Sequence, residues 1–362
     1  MNKMGFGFLR LPQTDGGTIN SALLNQMVDA FLERGGVYFD TAYTYLGGQS
    51  ESALRDALVR RHPRERFQIA DKLPSWMVRS AQDCRRYFDE QRERCGVEYF
   101  DVYLLHWLNQ KNYEICERYN EFAFLRELKA QGKVGKIGFS YHDSAAFLDE
   151  ILTAHPETEV VQLQLNYLDW DSAAIEGRKC YETAVRHGKS VVVMEPVKGG
   201  TLAKLPQKAE ELFRAHSSDS PARWALRFAQ SLSQVDIVLS GMSSLEQVLE
   251  NTKNVEPLTE PEQSVLRQAA RIIEEDTAVA CTGCRYCTAD CPKGIPIPDF
   301  FAMYNAYRRT PGEDWKIQPV YQRLAADHAK ASDCIQCGQC ESHCPQQLKI
   351  ISHLKEVADA FE

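Results

Sequence analysis

The feature that most constrains the fold is an alternation of short β-rich runs with longer stretches of helical periodicity, from the N-terminus to about residue 255. Runs of branched and aromatic side chains predict strands, and apolar residues recurring every three or four positions predict amphipathic helices. Eight strands in strict alternation with eight helices predict a parallel sheet with helical crossovers. Eight units favour closure into a (β/α)8 TIM barrel of the α/β class, whereas an open doubly wound sheet is the alternative.

The alternation also sets the expected element bounds. The predicted strands are residues 4–9, 37–40, 67–71, 100–106, 135–140, 160–163, 190–194 and 236–239. The predicted helices are residues 22–34, 50–60, 81–94, 122–130, 145–152, 174–187, 221–231 and 245–251. A barrel of this type takes roughly 250 residues, so a chain of 362 residues leaves room for a second, smaller domain.

Eight of the twelve cysteines form two copies of one spacing, C-x2-C-x2-C-x3-C followed by proline. Bacterial ferredoxins use this spacing to bind 4Fe–4S clusters, with three thiolates on one cluster and the fourth on the other. Zinc is the alternative, but zinc sites favour two C-x2-C pairs. The spacing therefore predicts two 4Fe–4S clusters with crossed ligand sets. The first set is Cys281, Cys284, Cys287 and Cys344, and the second is Cys334, Cys337, Cys340 and Cys291.

Proline residues end the alternation before the cysteine motifs begin. Pro257 and Pro261 interrupt it, and a further helix over about residues 262–275 leads into the cysteine-rich segment. Between the motifs, residues 299–307 and 319–330 favour helices, which predicts a mostly α-helical, ferredoxin-like domain. The expected domains are residues 1–255 for the barrel, 256–280 for a helical linker and 281–362 for the dicluster ferredoxin-type domain.

Four further cysteines match no motif, and buried structural thiols are the ordinary explanation for each of them. Cys116 follows the fourth predicted strand closely, so a place at the mouth of the barrel is the alternative there. These cysteines are Cys84, Cys95, Cys116 and Cys180.

Polar residues stand at the ends of three neighbouring predicted strands. Asp40 ends the second strand, Tyr45 follows five residues later, Lys72 follows the third strand and His106 ends the fourth. In a (β/α)8 barrel these positions converge on the C-terminal mouth, where active sites form. Taken singly, the histidine could be structural and the aspartate and lysine could be a plain ion pair.

Together these strings resemble a known family. The D-T-A-x-x-Y string at residues 40–45, the post-strand Lys72 and the L-L-H string at residues 104–106 are similar to the catalytic tetrad of the aldo-keto reductase superfamily. The resemblance extends over residues 5–251, nearly the whole first domain. It implies an oxidoreductase that uses NADPH or NADH on a carbonyl or alcohol substrate.

The resemblance implies catalytic roles for four residues, and the chemistry supports them. A carbonyl that accepts hydride develops negative charge on oxygen and needs a proton, which Tyr45 would donate. We expect Lys72 to lower the pKa of Tyr45 and Asp40 to keep Lys72 charged and in place. His106 would hydrogen-bond the carbonyl oxygen and orient it.

Further positions match the nicotinamide site of the family. The resemblance implies carboxamide contacts at Ser140 and Gln162, and Met194 replaces the aromatic ring that many relatives place under the nicotinamide. It also implies a pyrophosphate loop and an adenosine end. These two regions comprise Pro196, Val197, Gly199, Gly200, Gly241, Ser243, Gln247, Glu250 and Asn251. Because Ser243, Ser244 and Glu246 stand where NADPH-specific members usually carry Lys or Arg, the choice between NADH and NADPH stays open.

Charge and hydropathy limit the other function classes. The formal net charge is −8 with scattered basic residues, which argues against a nucleic-acid groove or a polybasic membrane face. No apolar run is long enough to span a bilayer and no secretory signal is visible, so we expect a cytoplasmic protein in which the cysteines stay reduced. The oligomeric state is not predicted.

Three hypotheses on function remain from the sequence. In the first, the clusters relay electrons between a ferredoxin-like carrier and the barrel. In the second, an ordinary aldo-keto reductase carries structural or oxygen-sensing clusters, and in the third the barrel binds a nicotinamide without turnover. Substrate contacts are expected in residues 107–119 and in the segment between Gly200 and Pro221, with Trp76 as a further lining residue.

Overall fold

Eight parallel strands close into one barrel in the computed structural model, which describes residues 3–173, 175–253, 256–309 and 314–362. Each strand pairs with its sequence neighbours, and β1 closes the ring by pairing with β8, Phe6 opposite Ser240. The predicted barrel is therefore confirmed and the open sheet is excluded. The strands are β1 Met4–Gly7, β2 Tyr38–Asp40, β3 Gln68–Pro74, β4 Phe100–Leu108, β5 Val134–Tyr141, β6 Val160–Gln164, β7 Ser190–Met194 and β8 Val235–Gly241.

Helices follow the strands in the predicted order. Ordinary caps begin them, for example Asn20, whose side chain accepts from the Leu23 amide at the start of α1. The helices before the cysteine motifs are α1 Ser21–Glu33, α2 Ser50–Leu54, α3 Ala81–Cys95, α4 Gln110–Arg118, α5 Glu121–Ala130, α6 Ala145–Ala154, α7 Gly177–Arg186, α8 Gln207–Arg214, α9 Pro221–Ser231, α10 Leu245–Asn251 and α11 Glu260–Asp276. Those from the first motif onward are α12 Tyr286–Ala289, α13 Ile297–Arg309, α14 Asp314–Asp327, α15 Gln339–Ser342 and α16 Ile350–Phe361.

Three segments differ from the sequence expectation. The predicted helix over residues 50–60 consists of α2 followed by a wider π-type turn over Arg55–Val59. The two segments expected to be substrate loops contain α4 and α8. In α4 the reason is local, since Asn109 accepts from the Asn112 amide at 2.9 Å and caps a helix that buries Cys116.

The pleat of the strands decides which side chains enter the barrel, because successive residues point to opposite faces. The interior layer consists of Tyr38, Ala70, Val102, Leu104, Val160, Val192 and Leu239. The residues two positions further along face the same way. They are Asp40, Lys72, His106, Gln162, Met194 and Gly241, and Ser140 stands two positions after Gly138, which pairs in register with Leu104 and Val160. The opposite face of the first strands packs on α1 through an aromatic group in which Phe6, Phe31 and Phe39 have ring centroids 5.3–6.1 Å apart.

The chain divides into two compact units. The barrel unit comprises Met1–Ser172, Glu176–Pro196 and Ala225–Leu258, and the cysteine unit comprises Ala173–Ile175, Val197–Trp224 and Thr259–Glu362. The cysteine unit thus includes the segment that follows β7. The boundary expected at residue 255 lies outside the described residues and stays a prediction.

The cysteine unit has an apolar core of its own. Phe300 of α13 lies against Tyr321 of α14 with ring centroids 5.1 Å apart, and Tyr321 stacks on Phe361 of α16 at 5.3 Å. Phe300 is fully buried, as is Leu354 within the same cluster of apolar side chains. In both units, none of the helices that the structure describes is long and apolar enough to cross a membrane.

Candidate active site

A buried ion pair occupies the barrel mouth. Lys72 Nζ lies 2.6 Å from Asp40 Oδ1 and also donates to the Thr41 carbonyl oxygen at 2.7 Å. The lysine side chain is fully buried and the aspartate side chain is 3% exposed. Such a pair is costly to bury and is strongly destabilised when one partner is removed, so its place at the C-terminal strand ends indicates a functional site.

Aromatic rings surround this pair. Lys72 Nζ lies 5.0 Å from the centroid of the Tyr45 ring, and the Tyr45 ring lies edge-on to His106 with centroids 5.7 Å apart. The Trp76 ring lies edge-on to His106 and to Trp107, with centroids 5.2 Å and 6.4 Å away. The structure therefore brings together the four residues of the expected tetrad and adds two indole rings beside them.

The pKa of Tyr45 differs from the sequence expectation. Burial is the largest cause, followed by the carboxylates of Asp40, Asp71 and Glu195, and together they raise the pKa of Tyr45 well above its ordinary value. The expected net lowering is therefore not found, because burial and the three carboxylates outweigh Lys72, whose charge is paired with Asp40 at 2.6 Å. Tyr45 is consequently a neutral phenol that holds a proton.

The partner groups are shifted in the directions that burial dictates. Burial raises the pKa of Asp40, and the contact with Lys72 opposes this. Burial, Lys72 and His142 together lower the pKa of His106 well below its ordinary value, so the imidazole is neutral. His106 Nδ1 and Asp40 Oδ2 have no hydrogen-bond partner among the described residues. The site therefore keeps polar atoms available inside a buried mouth.

A hydrogen-bond network on the outer face of β3 fixes the backbone at Lys72. The amide of Lys72 donates to Asp71 Oδ1 at 2.8 Å, and Gln91 Nε2 donates to the same oxygen at 2.7 Å. The Tyr103 hydroxyl donates to Gln91 Oε1 at 2.6 Å. Sequence reasoning missed this network, although Asp71 stands next to Lys72. Since all these side chains are fully buried, the network holds β3 rigidly below the ion pair.

Two expected carboxamide contacts lie side by side. Ser140 on β5 pairs in register with Gln162 on β6, and both are buried. Ser140 Oγ and Gln162 Oε1 have no partner among the described residues, and Gln162 Nε2 reaches only the sulfur of Met194, at 3.6 Å. Buried polar atoms are normally satisfied, so these adjacent atoms fit a polar group of a bound molecule.

A second polar cluster continues along β6 and was not predicted. Asp169 Oδ2 accepts from Gln164 Nε2 at 3.0 Å and from Asn166 Nδ2 at 2.8 Å. Asn166 Nδ2 also donates to the Glu195 carbonyl oxygen at 3.2 Å. The signal was present in the sequence, because Gln162 and Gln164 alternate with apolar residues and share one face of β6, and Asn166 continues the alternation two residues past its end.

The residues expected at the adenosine end lie at the end of β8 and along α10. Ser243 donates its amide to Gln247 Oε1 at 2.7 Å, and both side chains are exposed. Asn251 is buried and donates to Ser240 Oγ at 3.1 Å. Gly241 ends β8, where an added Cβ would lie 3.2 Å from the Cβ of Arg10. Glu250 is half-buried on α10, and the cofactor roles of these residues stay predictions.

The expected pyrophosphate loop is divided between the two units. Pro196 ends a segment of the barrel unit, whereas Val197, Gly199 and Gly200 belong to the cysteine unit. Gly199 has a left-handed backbone with a φ of 64°, and an added Cβ would lie 2.2 Å from the Thr282 carbonyl oxygen. Glycine is therefore required at 199 by close packing on the first cysteine loop, and its role toward a pyrophosphate stays a prediction.

The eight motif cysteines surround two cavities. Each cavity is lined by three cysteines of one motif and by the fourth cysteine of the other, as the crossed arrangement predicts. The first cavity contains Cys281, Cys284, Cys287 and Cys344, and the second contains Cys291, Cys334, Cys337 and Cys340.

The four remaining cysteines are buried in the barrel unit. The sulfur of Cys116 donates to Glu121 Oε2 at 3.0 Å, and burial raises its pKa well above the ordinary value. Glu121 also accepts from the Ser75 hydroxyl at 2.6 Å. The expectation of buried thiols is thus confirmed, and the alternative place of Cys116 at the mouth stays a prediction.

Family models match both parts of the chain. The model of the aldo/keto reductase family matches residues 3–270, and that of the 4Fe-4S dicluster domain matches residues 280–349. An aldo-keto reductase of Mycolicibacterium smegmatis is 29% identical over 161 residues, covering 44% of this chain and 51% of the relative. The chain thus spans about half the length of that relative. An aldo-keto reductase of Mycolicibacterium vanbaalenii is 28% identical over 239 residues, covering 65% and 78%.

A solved structure shares the fold. The aldo-keto reductase from Klebsiella pneumoniae in complex with NADPH superimposes with a TM-score of 0.58, covering 75% of this chain and 90% of that one at 19% identity. This similarity supports the barrel architecture. The family itself is given by the family model over residues 3–270. The chain belongs to the aldo/keto reductase family and carries a 4Fe-4S dicluster domain in its C-terminal part.

Proposed function

We propose that the protein is a nicotinamide-dependent oxidoreductase that interconverts a carbonyl compound and the corresponding alcohol at the barrel mouth. The observation that carries this proposal is the buried pair of Lys72 and Asp40 at 2.6 Å, beside Tyr45 and His106. This buried mouth thus combines a phenol, an ammonium, a carboxylate and an imidazole. Such a set can supply the proton for carbonyl reduction and stabilise the negative charge that develops on the carbonyl oxygen.

The residues present fit a nicotinamide. The unpartnered Ser140 Oγ and Gln162 Oε1 are suited to the two ends of a carboxamide, which has both a donor and an acceptor. When bound, NADPH or NADH supplies the hydride. The solved Klebsiella pneumoniae relative was crystallised with NADPH, whereas the exposed Ser243 and Gln247 offer no cation for a 2′-phosphate. We therefore propose NAD(P)H and leave the preference to measurement.

The chain's own residues would handle the proton. Tyr45 is held as a neutral phenol by burial, so it can donate its hydroxyl proton to a carbonyl oxygen as negative charge develops there. Lys72, fixed by Asp40, would stabilise the phenolate that remains. The neutral His106 would donate a hydrogen bond to the same oxygen and orient it. Each donor is positioned before the substrate arrives.

The substrate class follows from the rings around the mouth. Trp76 and Trp107 lie next to His106 and offer large apolar faces. We propose a small-molecule carbonyl substrate with an apolar or aromatic group beside the carbonyl. A cytoplasmic location and the absence of a nucleic-acid partner stay predictions.

The proposal is tested with anaerobically purified protein and a panel of aldehydes and ketones. NADPH and NADH are supplied in parallel, and oxidation of the nicotinamide is followed by absorbance. Tyr45→Phe should lower kcat by about 10²–10⁴-fold, the usual contribution of a positioned proton donor. Tyr99→Phe, a change at an exposed tyrosine, is the matched control. Turnover that is equal in Tyr45→Phe and wild type would contradict the catalytic role.

We also propose that the cysteine unit holds two 4Fe–4S clusters that relay electrons to or from a ferredoxin-like carrier. The donor chemistry supports this, since four thiols line each cavity in the crossed sets that the ferredoxin spacing requires. Such clusters supply one-electron transfer. The alternatives are a structural or an oxygen-sensing role.

Cluster depletion separates these alternatives. Cys284→Ser and Cys337→Ser are combined in one variant, and its fold is checked by circular dichroism before activity is assayed. If the clusters relay electrons, the variant should no longer reduce the carbonyl substrate when a one-electron donor such as reduced methyl viologen supplies the electrons. Full activity with this donor in folded, cluster-depleted protein would instead favour a structural or sensing role.

A further inference from the structure

Each cysteine cavity has a lysine near it, and the two lysines differ in exposure. Lys198 is 3% exposed, and its Nζ donates to Gln346 Oε1 at 3.0 Å. Gln346 lines the first cavity and stands two residues after Cys344. Lys293 lines the second cavity and is exposed to solvent. The first cavity therefore has a buried lysine behind its wall, besides the exposed Arg285 that also lines it, whereas the lysine at the second cavity is solvated.

Backbone packing holds Lys198 in place. The next residue, Gly199, lies so close to Thr282 that an added Cβ would be 2.2 Å from its carbonyl oxygen. Thr282 follows Cys281 directly and lines the same first cavity. Lys198 itself has a φ of 45°, a conformation that non-glycine residues adopt only where the surroundings enforce it. The ammonium is therefore positioned by the loop and by Gln346.

We infer that Lys198 is a positioning residue that raises the reduction potential of the cluster held by Cys281, Cys284, Cys287 and Cys344. The inference rests on the proposed presence of that cluster. No corresponding effect is expected from Lys293 on the second cluster. The two clusters of one small unit are thus made electronically unequal by a residue that lies outside both cysteine motifs.

A charge held near a cluster shifts the reduction potential of that cluster. Reduction by one electron adds one negative charge to the thiolate-bound cluster, and a fixed cation nearby stabilises the reduced form. The effect is large for a buried cation and small for an exposed one, because water and salt screen the latter. In addition, the Gln346 amide accepts from the ammonium through Oε1, so its Nε2 hydrogens remain as donors to other groups. N–H donors beside cluster sulfurs also raise the reduction potential.

The test is a redox titration of the full-length protein, purified anaerobically, with dithionite as the reductant. Iron content and the electron paramagnetic resonance signals of the two clusters are recorded for wild type, Lys198→Gln and Lys293→Gln. In Lys198→Gln, one cluster should show a tenfold lower ratio of reduced to oxidised form at a fixed potential, which corresponds to about 59 mV for a one-electron couple. The other cluster should be unchanged, and Lys293→Gln should change neither.

Further variants keep the outcome decisive. Lys198→Arg retains the charge and should keep the potential near the wild-type value. If Lys198→Gln fails to retain its iron, Gln346→Leu provides the second test, because it removes the acceptor that fixes the ammonium beside the first cavity and should lower the same potential. Wild type without two clusters would overturn the proposed function and this inference together. Two clusters with potentials that are unchanged in Lys198→Gln or Gln346→Leu would overturn the inference alone.

Discussion

The barrel mouth and the cysteine unit hold their polar groups in opposite ways. In the mouth, Asp40 and Lys72 are on adjacent strands, fully enclosed and paired with each other. In the cysteine unit, the motif thiols stand on short loops and on the one-turn helices α12 and α15, and Cys337 is exposed. A site that handles protons is preformed by strand pleat and hydrogen bonds, whereas a metal-binding site takes part of its order from the group it binds.

This contrast predicts that damage to one region should leave the chemistry of the other intact. Variants in the mouth should lose turnover and stability but keep their iron. Variants in the cysteine unit should lose iron but keep the folded barrel. The following changes test that separation, in order of decreasing effect.

Lys72→Met should have the largest effect. It leaves the buried Asp40 carboxylate without its cation, which costs about 3–5 kcal/mol of unfolding free energy. Loss of the charge beside Tyr45 should also lower kcat by about 10²–10⁴-fold. Thermal melts, turnover and iron content are compared with those of Lys136→Met, at an exposed lysine of β5. Iron loss in Lys72→Met but not in Lys136→Met would show that the two regions are coupled.

His142→Gln should change the response to acid. Burial lowers the pKa of His142 from 6.5 to about 4, so between these values the unfolded chain binds a proton that the folded chain does not. This group therefore makes the protein less stable as pH falls through that range, by at most about 1.4 kcal/mol, or tenfold in the unfolding constant, per pH unit.

Urea unfolding at pH 6.5 and pH 5 measures this effect. The loss of stability between the two pH values should be smaller in His142→Gln than in wild type. The control is His328→Gln, at an exposed histidine of the cysteine unit. An identical loss in His142→Gln and wild type would show that protonation of His142 plays no part.

Cys287→Ser should remove the first cluster alone. Its thiol is one of four around the first cavity, so about half of the iron should be lost because one of two four-iron sets lacks a ligand. The melting of the barrel should stay unchanged. Cys180→Ser, outside both cavities, is the control and should keep all of its iron. Loss of all iron would mean that the two cavities load as one.

Ile335→Ser should have the smallest effect. Ile335 lines the second cavity but is 57% exposed, so its replacement should change the unfolding free energy by less than about 0.5 kcal/mol. Urea unfolding and iron content together measure it. A larger loss of stability would show that Ile335 is covered in solution.

Periodicity and spacing were enough to predict much of this molecule. The alternation of strands predicted the barrel, and the strand-end positions predicted that Asp40, Lys72 and His106 would share one mouth. The cysteine spacing predicted which thiols would share a cavity. These signals are local, because each depends on the pleat of a strand or on the reach of a short loop.

What the sequence could not predict depends on contacts between distant residues. The pKa of Tyr45 is raised because burial and three carboxylates outweigh Lys72, and this balance exists only in the folded chain. The hydrogen bond from Lys198 to Gln346 joins residues 148 positions apart. Periodicity gives no sign of such a pair. The amides of β6, by contrast, could have been found from their alternation.

The crossed cysteine sets have a consequence for the order of assembly during synthesis. The first cavity needs Cys344 and the second needs Cys340, so neither can be completed until the ribosome has made all the strands of the barrel. Domains generally fold as they emerge, N-terminal part first. Metal insertion must then be a late event. The hydrogen bond that fixes Lys198 can likewise form only after Gln346 has been synthesised.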